Sequence, residues 1–403
     1  MTHKSDFLII GGGIIGLTIA QTIRNKNPQA SIIIIEKEST IAFHASGRNS
    51  GVLHAGFYYS ADSLKAKFCR DGNIAMRRYC EENKLPITYN QKLVIAQNDD
   101  EISGLRELKR RGDLNNVETH LISRTEAEKI EPNVRTESFA LFSPNTATVE
   151  PALICAHLAE NLKKQNIKIH TETPFRRRLR GNQIIAGTTR YDAGKIINCA
   201  GLYADKIAQE FGFSENYTIM PFKGVYLKYY GQKPPLKVNI YPVPNLKNPF
   251  LGVHFTITAK GEVKIGPTAM PAFWREQYKT TERFNLSEAA NIIGWQSKLM
   301  ASNAFGFRQL AWEEIKKYRQ SYLLNQAANL VKNLDLSEAN SWQWSKPGIR
   351  AQLLNKKTLS LVQDFVVEGD SESTHVLNAV SPAFTCSWPF AEWVVGGLAN
   401  PNK

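Results

Sequence analysis

The stretch that most restricts how this chain can fold is its beginning. An apolar strand, Phe7 to Ile10, runs into Gly11-x-Gly13-x-x-Gly16, a helix follows from about Ile14 to Arg24, and a turn at Asn27-Pro28 leads to a second strand, Ile32 to Ile35, ending in Glu36. An unbroken run of isoleucines is what a parallel strand covered on both faces looks like. The unit reads as βαβ, and its glycines have separate tasks. Gly11 permits the tight turn, Gly13 lets the backbone approach a pyrophosphate, and Gly16 allows close helix-to-strand packing, while the free N–H groups around Ile14 and Ile15 face the phosphates. Glu36, with Lys37 beside it, stands where the ribose hydroxyls would be held; its charge repels a 2′-phosphate, which favours FAD or NAD over NADP.

The 403-residue chain has room for two or three domains and a large core. With 42% hydrophobic and 22% charged residues it is neither disordered nor membrane-spanning in composition. No run approaches the ~18 uncharged apolar residues of a membrane span. The Phe7 to Ala20 stretch carries four glycines and no cleavage pattern, so it reads as folded core rather than a signal sequence. Five scattered cysteines, without a C-x-x-C pair, indicate neither a disulfide framework nor a metal site. The expected location is cytoplasmic, with any membrane attachment peripheral on the inner face. The formal charge of +13 favours anionic partners. Arg176-Arg177-Arg178-Leu179-Arg180, Lys109-Arg110-Arg111 and Lys356-Lys357 are the candidate basic surfaces for anionic lipid, and nucleic acid is disfavoured because no RNA-binding module is visible.

Between Asp62 and Glu82, Leu64, Phe68, Gly72, Ala75 and Tyr79 share one helical arc. A further helix follows Glu150-Pro151, with Ile154, Leu158 and Leu162 at four-residue steps. From about Thr218 to Thr268, short strands broken by Pro and Gly indicate an antiparallel sheet. Leu286 to Leu336 is helix-rich and basic; strands return after Trp344, and an apolar segment, Trp388 to Leu398, closes the pattern. A nucleotide domain over 1–85, 145–215 and 345–403, interrupted by a substrate or cap domain over 86–144 and 216–344, is the arrangement this order implies.

What separates FAD from NAD lies just past the βαβ unit. His44-Ala45-Ser46-Gly47-Arg48-Asn49-Ser50-Gly51-Val52-Leu53-His54-Ala55-Gly56-Phe57-Tyr58-Tyr59 is small, polar and glycine-rich, suited to a chain threading past a cofactor. It resembles the second flavin-contacting motif of the glutathione-reductase-type FAD oxidoreductases and, within them, the D-amino-acid-oxidase-like superfamily. The version from Ser46 to Tyr59 is similar to the L-2-hydroxyglutarate dehydrogenase/oxidase family. Further matches are Ser63 to Ala66, Ile196 to Asp205, Tyr241 to Pro244, Pro249 to Thr256, Gly266 to Ala269, Gly348 to Gln352, Asp364-Phe365 and Asn378 to Ala383; residues from about 280 to 340 carry little of the likeness.

The resemblance implies an α/β protein, α+β overall, with a glutathione-reductase-type Rossmann FAD domain and an inserted antiparallel-sheet substrate domain. It places FAD contacts at His44, Ser46, Arg48, Asn49, Ser50, Gly51, Val52, Ala200, Gly201, Ser381, Pro382, Ala383 and Thr385. His44 stands like the histidine that carries covalent flavin in some relatives, and the noncovalent reading is preferred. Cys386 reads as packing.

Oxidising a 2-hydroxy acid on a flavin requires a cation for the carboxylate, a base for the hydroxyl proton and the α-hydrogen aimed at the flavin. Arg350 offers the planar fork that matches a carboxylate, and its place resembles the superfamily's substrate-carboxylate arginine. His254, in Gly-Val-His-Phe-Thr, is the candidate base; His54 in the flavin-contacting loop is its rival. Lys65, Tyr226 and Tyr241 are candidates for the distal carboxylate or the hydroxyl. Lys223 and Val225 stand where the family commonly has Arg and Glu, and Arg48 where close members carry His, so fold and FAD are fixed more firmly than the acid. The expected function is therefore oxidation of an L-2-hydroxy acid, L-2-hydroxyglutarate first, with a quinone or other acceptor. An amino-acid or secondary-amine oxidase on the same fold, or a non-catalytic flavoprotein binding RNA or membrane, stays open.

Overall fold

The computed structural model describes residues 2–231, 236–244, 252–334 and 336–398, so Pro249, Phe250 and Leu251 of the motif ending at Thr256 lie outside the described residues. The chain forms two compact units, Met1–Asn49 with Pro151–Pro221 and Arg350–Lys403, and Ser50–Glu150 with Phe222–Ile349.

In the first unit, strand Thr2–Ile10 lies between two parallel neighbours, Ile32–Ile35 and Thr189–Asn198, with Ile10 opposite Ile35 on one side and Asn198 on the other. Parallel pairing on both edges and helices over the faces bury the isoleucine run completely. Each such side chain contributes about 2 kcal/mol of transfer free energy. Beyond Ile32–Ile35 lies Lys168–His170. Beyond Thr189–Asn198 the edge is shared by the antiparallel strand Gln183–Ala186 and the parallel strand Ser373–Asn378. Helix Ile14–Lys26 packs against helices Pro151–Lys164 and Ala383–Leu398. It ends where the Asn27 N–H donates to the Ile23 carbonyl at 2.7 Å, immediately before Pro28, which cannot extend it.

The second unit is built on an eight-stranded sheet in the order Trp342–Trp344, Leu227–Tyr229, Val263–Gly266, His254–Ile257, Asn239–Pro242, Lys92–Ile95, Phe139–Ser143, His120–Ser123. It is antiparallel except where Asn239–Pro242 pairs in parallel with Lys92–Ile95. That exception is the seam between the two chain segments that make the unit. Strand alternation gives the sheet two chemically different faces. Leu93, Ile95, Ile240, Phe255 and Ile257 belong to an apolar core shared with Leu323, Leu324 and Ala327 of helix Gln320–Ala328. The opposite face carries Lys92, Val94, Tyr241 and His254, with Phe57, Tyr58, Leu105 and Leu108 packed around Val94 and Tyr241.

The units divide at 49/50 where the sequence reading placed the division at 85, and residues 50–85 group with the second sheet. Val52–Leu53 pairs with Ala147–Val149, and Asn73 of helix Leu64–Glu82 donates to the carbonyls of Leu53, His54 and Asn145, each at 3.2 Å. These bonds also turn the helix. Its buried stripe is Ala66, Cys69, Asn73, Met76 and Cys80 with Phe68 and Gly72, whereas Leu64, Ala75 and Tyr79 of the expected arc are only partly buried. Hydropathy alone does not draw an asparagine inward; three carbonyl partners do.

Candidate active site

The dinucleotide turn is assembled within the first unit. Gly11 has φ +115° and donates to the Ile35 carbonyl at 2.8 Å, and a Cβ there would lie 2.5 Å from the Cys199 carbonyl oxygen. At Gly16 a Cβ would lie 2.1 Å from the Gly11 oxygen. Gly13 is the residue before helix Ile14–Lys26, and Ser46 Oγ accepts the Ile14 N–H at 2.9 Å. Glu36 is buried at the end of its strand, its two oxygens accepting from Gly12 N (2.8 Å) and Glu38 N (3.0 Å). Burial raises its carboxyl above the ordinary range, opposed by those backbone bonds. A carboxylate has about four lone-pair sites, so both oxygens keep capacity for ribose hydroxyls. A turn that admits only glycine, a helix N-terminus beside it and a fixed acid at the second strand's end fit a dinucleotide such as FAD.

The segment after the second strand is held by its own bonds. His44 Nε2 lies 2.9 Å from Glu38 Oε1, and Lys37 also pairs with Glu38. Arg48 donates to the Phe43 carbonyl at 2.8 Å and lies over the Phe43 ring; Asn49 donates to the Ser46 carbonyl at 2.8 Å. Ser50, Gly51 and Val52 belong to the second unit, where the Gly51 carbonyl accepts from Val149 and Val52 pairs with Thr148. Ala200 donates to Asn198 Oδ1, and Gly201, at φ +53°, opens the turn after strand Thr189–Asn198. Ser381 and Pro382 lead into helix Ala383–Leu398, on which Ala383, Thr385 and Cys386 are buried.

Most of the expected substrate residues lie in the second unit, and two of them meet. The rings of Tyr241 and His254 stack with centroids 3.8 Å apart and planes 19° from parallel. His254 is buried, and its Nδ1 lies 2.8 Å from the Gly252 carbonyl. A carbonyl only accepts, so Nδ1 carries the hydrogen and the neutral ring presents Nε2 as a proton acceptor. Tyr241 Oη is 3.4 Å from Thr256 Oγ1; burial pushes its phenol well above the ordinary value, and Tyr226 adds to that shift. His54 is buried, its carbonyl accepting from Cys69 Sγ and from Asn73. Lys65, in the first turn of its helix, has Nζ 5.8 Å from the Tyr59 ring. Burial also lowers Lys223, one of the departures from the family pattern. Arg350, partly buried on strand Gly348–Asn355, belongs to the first unit.

The sequence reading missed Lys92, Tyr58, Thr256 and Glu38. For Lys92 a signal existed: it heads a strand that is otherwise Leu-Val-Ile, and Lys92 is fully buried with them.

A parallel Rossmann unit with this turn, interrupted by a mixed-sheet unit with a buried polar face, defines a dinucleotide-dependent oxidoreductase. Residues 6–396 match the family described as FAD dependent oxidoreductase. The chain belongs to that family, and its cofactor is FAD. It is 35% identical over 395 residues to the L-2-hydroxyglutarate dehydrogenase of Indibacter alkaliphilus, covering 94% of this chain and 95% of that protein. It is 32% identical over 418 residues to the protein of that name from Escherichia coli K12, covering 99% and 96%. Among solved structures, L-α-glycerophosphate oxidase of Mycoplasma pneumoniae with FAD bound shares the fold, with a TM-score of 0.76 at 22% identity over 98% of this chain and 95% of that one.

Proposed function

We propose that the protein oxidises L-2-hydroxyglutarate to 2-oxoglutarate. The observation that carries this is the likeness, over nearly the whole of both chains, to proteins named for that activity. In this reading Arg350 holds the C1 carboxylate through its two-pronged guanidinium. His254 Nε2 takes the hydroxyl proton, a role supported by the hydrogen bond that fixes its tautomer. Tyr241, stacked on the imidazole, holds that ring in plane. Lys65 and Tyr226 are the candidates for the distal carboxylate, and His54 is the rival base. Bound through Gly11, Gly13, Gly16, Glu36, Ser46, Ala200 and the Ser381 to Thr385 turn, FAD supplies the hydride acceptor.

The test is anaerobic bleaching of the flavin band near ~450 nm by a panel of L- and D-2-hydroxy acids and amino acids. Rapid bleaching by L-2-hydroxyglutarate alone is expected. Bleaching by glycine, proline or sarcosine instead would move the protein to the amine-oxidising branch of the fold.

The reduced cofactor needs a second acceptor, and we propose a membrane quinone reached by peripheral docking. Of the basic runs singled out in the sequence, Arg176, Arg177, Arg180 and Lys357 are exposed and would add to such docking, while four others are engaged in ion pairs, so the supporting surface is a different one. Arg110 and Arg111 pair with Glu107, Lys109 with Asp113, and Arg178 with Glu372. Instead, helices Leu286–Ser302 and Phe307–Lys316 expose Leu286 (74%), Ile293, Met300, Trp312 (63%) and Ile315, with Lys298 and Arg308 exposed among them. Exposed apolar side chains interleaved with cations suit a lipid interface. No helix of the described residues is long and apolar enough to cross a membrane. Flotation with anionic vesicles should fall about tenfold in Ile293→Glu/Trp312→Glu, since each loses an apolar anchor; unchanged flotation removes this surface.

A further inference from the structure

The polar face of the second sheet buries a cation that the reaction above does not use. Lys92 is wholly buried, and its Nζ has no hydrogen-bond partner among the described residues. It sits instead among rings, with Nζ 4.1 Å from the Tyr241 centroid, 5.2 Å from Tyr58 and 5.8 Å from Phe57. An ammonium over ring faces keeps part of its solvation through the ring quadrupoles, but far less than water gave it. Burial accordingly lowers Lys92 to about 7, and only Cys69 acts in the other direction.

Its position relative to the candidate base follows from the sheet. Strand Asn239–Pro242 lies between Lys92–Ile95 and His254–Ile257. The register sets Tyr241 beside Val94 on one side and, by the Ile240–Phe255 pair, beside His254 on the other. The Tyr241 ring therefore has the Lys92 ammonium 4.1 Å from its centroid and the His254 imidazole 3.8 Å from it, approaching from opposite neighbouring strands. The groups that face this stack are Tyr58 and Phe57 from the segment after Val52–Leu53, Cys69 from helix Leu64–Glu82, Thr256 beside Tyr241 Oη, and Tyr226. None of them is a carboxylate, and among the described residues only the Cys69 thiol opposes the field of the ammonium.

We infer that Lys92 is a positioning residue of the oxidation: its ammonium, acting across the Tyr241 ring, disfavours the imidazolium form of His254 and so keeps Nε2 able to take the substrate's hydroxyl proton. This rests on His254 being the base. Two like charges separated by one aromatic layer in a buried setting repel strongly enough to move a titration by about one pH unit. The effect is largest on the acid side, where Lys92 is charged, and fades above neutrality as it loses its proton. The two groups titrate as a coupled pair.

The experiment is the pH dependence, from 5 to 9, of anaerobic flavin reduction by L-2-hydroxyglutarate in the FAD-loaded wild type, Lys92→Met, Lys92→Gln and His254→Gln. Lys92→Met fills the site without charge, and the acid limb is expected to rise by about one unit; Lys92→Gln should move it the same way. An acid limb that stays at the wild-type pH in a flavin-loaded Lys92 variant, while His254→Gln is inactive, overturns the inference and leaves the base intact. An active His254→Gln with an unchanged limb overturns the base assignment itself. Loss of FAD from both neutral variants makes Lys92 a structural residue and also overturns the inference.

Discussion

The two units hold their chemistry in opposite ways. In the first, the cofactor turn is a stretch of backbone whose side chains are mostly absent: Gly11, Gly13 and Gly16 are close in sequence, and their work is done by N–H groups and by space. In the second, the candidate base is one member of a side-chain stack drawn from three strands, Lys92, Tyr241 and His254, over 160 residues apart at its extremes. A contiguous site is set by local steric rules. An assembled one depends on register, since a one-residue slip would turn Tyr241 or His254 to the other face.

The largest test of that contrast is Gly16→Val. Its Cβ would stand 2.1 Å from the Gly11 oxygen, so the helix must move off the strand; loss of FAD and several degrees of melting temperature are expected, read from flavin content and thermal unfolding. In the second unit, His254→Gln should slow flavin reduction by about 10²–10⁴-fold, the usual contribution of a general base, without releasing FAD. Arg350→Ala should raise KM by roughly 100-fold, because a charge-assisted bidentate contact is worth about 3 kcal/mol; unchanged kinetics would remove Arg350 from the site.

Two smaller effects separate the units by pH. Lys92 has its proton affinity lowered on folding, so the unfolded chain binds more protons between about pH 7 and its ordinary 10.5. Stability attributable to it therefore rises with pH across that window, and the penalty is complete below 7. Lys92→Met should then be the more stable protein at pH 6 by about 2–4 kcal/mol, with the gap closing by pH 10. His375, buried in the first unit, is lowered to about 4. Between its unfolded value near 6.5 and 4 the unfolded state again binds the extra proton, so acidification through that range destabilises the first unit. His375→Gln should flatten the melting temperature between pH 6.5 and 4; a slope unchanged from wild type would assign it elsewhere.

Much of this was legible in the residues. The βαβ unit is legible in order and in its turn, although its first strand begins five residues before Phe7 and its helix ends two residues after Arg24; the later strands read as a second sheet, and the family from the Ser46 to Tyr59 motif. The boundary at 85 was not, because the segment after Ser50 looks like a continuation of the cofactor loop, and only its pairing with Ala147–Val149 assigns it to the other unit. The inward face of helix Leu64–Glu82 was misread for a related reason: Asn73 is buried by carbonyls distant in sequence.

The sequence by itself determined the glycine turn, the acid at Glu36, the isoleucine strand and the family, because turn sterics, cofactor approach and strand burial are written in neighbouring residues. Only the tertiary structure decided that Lys92 is buried without a hydrogen bond among the described residues, that Tyr241 stacks on His254, and that Gly252 fixes the His254 tautomer. Burial and electrostatic environment are properties of what surrounds a side chain, and here the surroundings come from strands that meet only when the sheet closes its register.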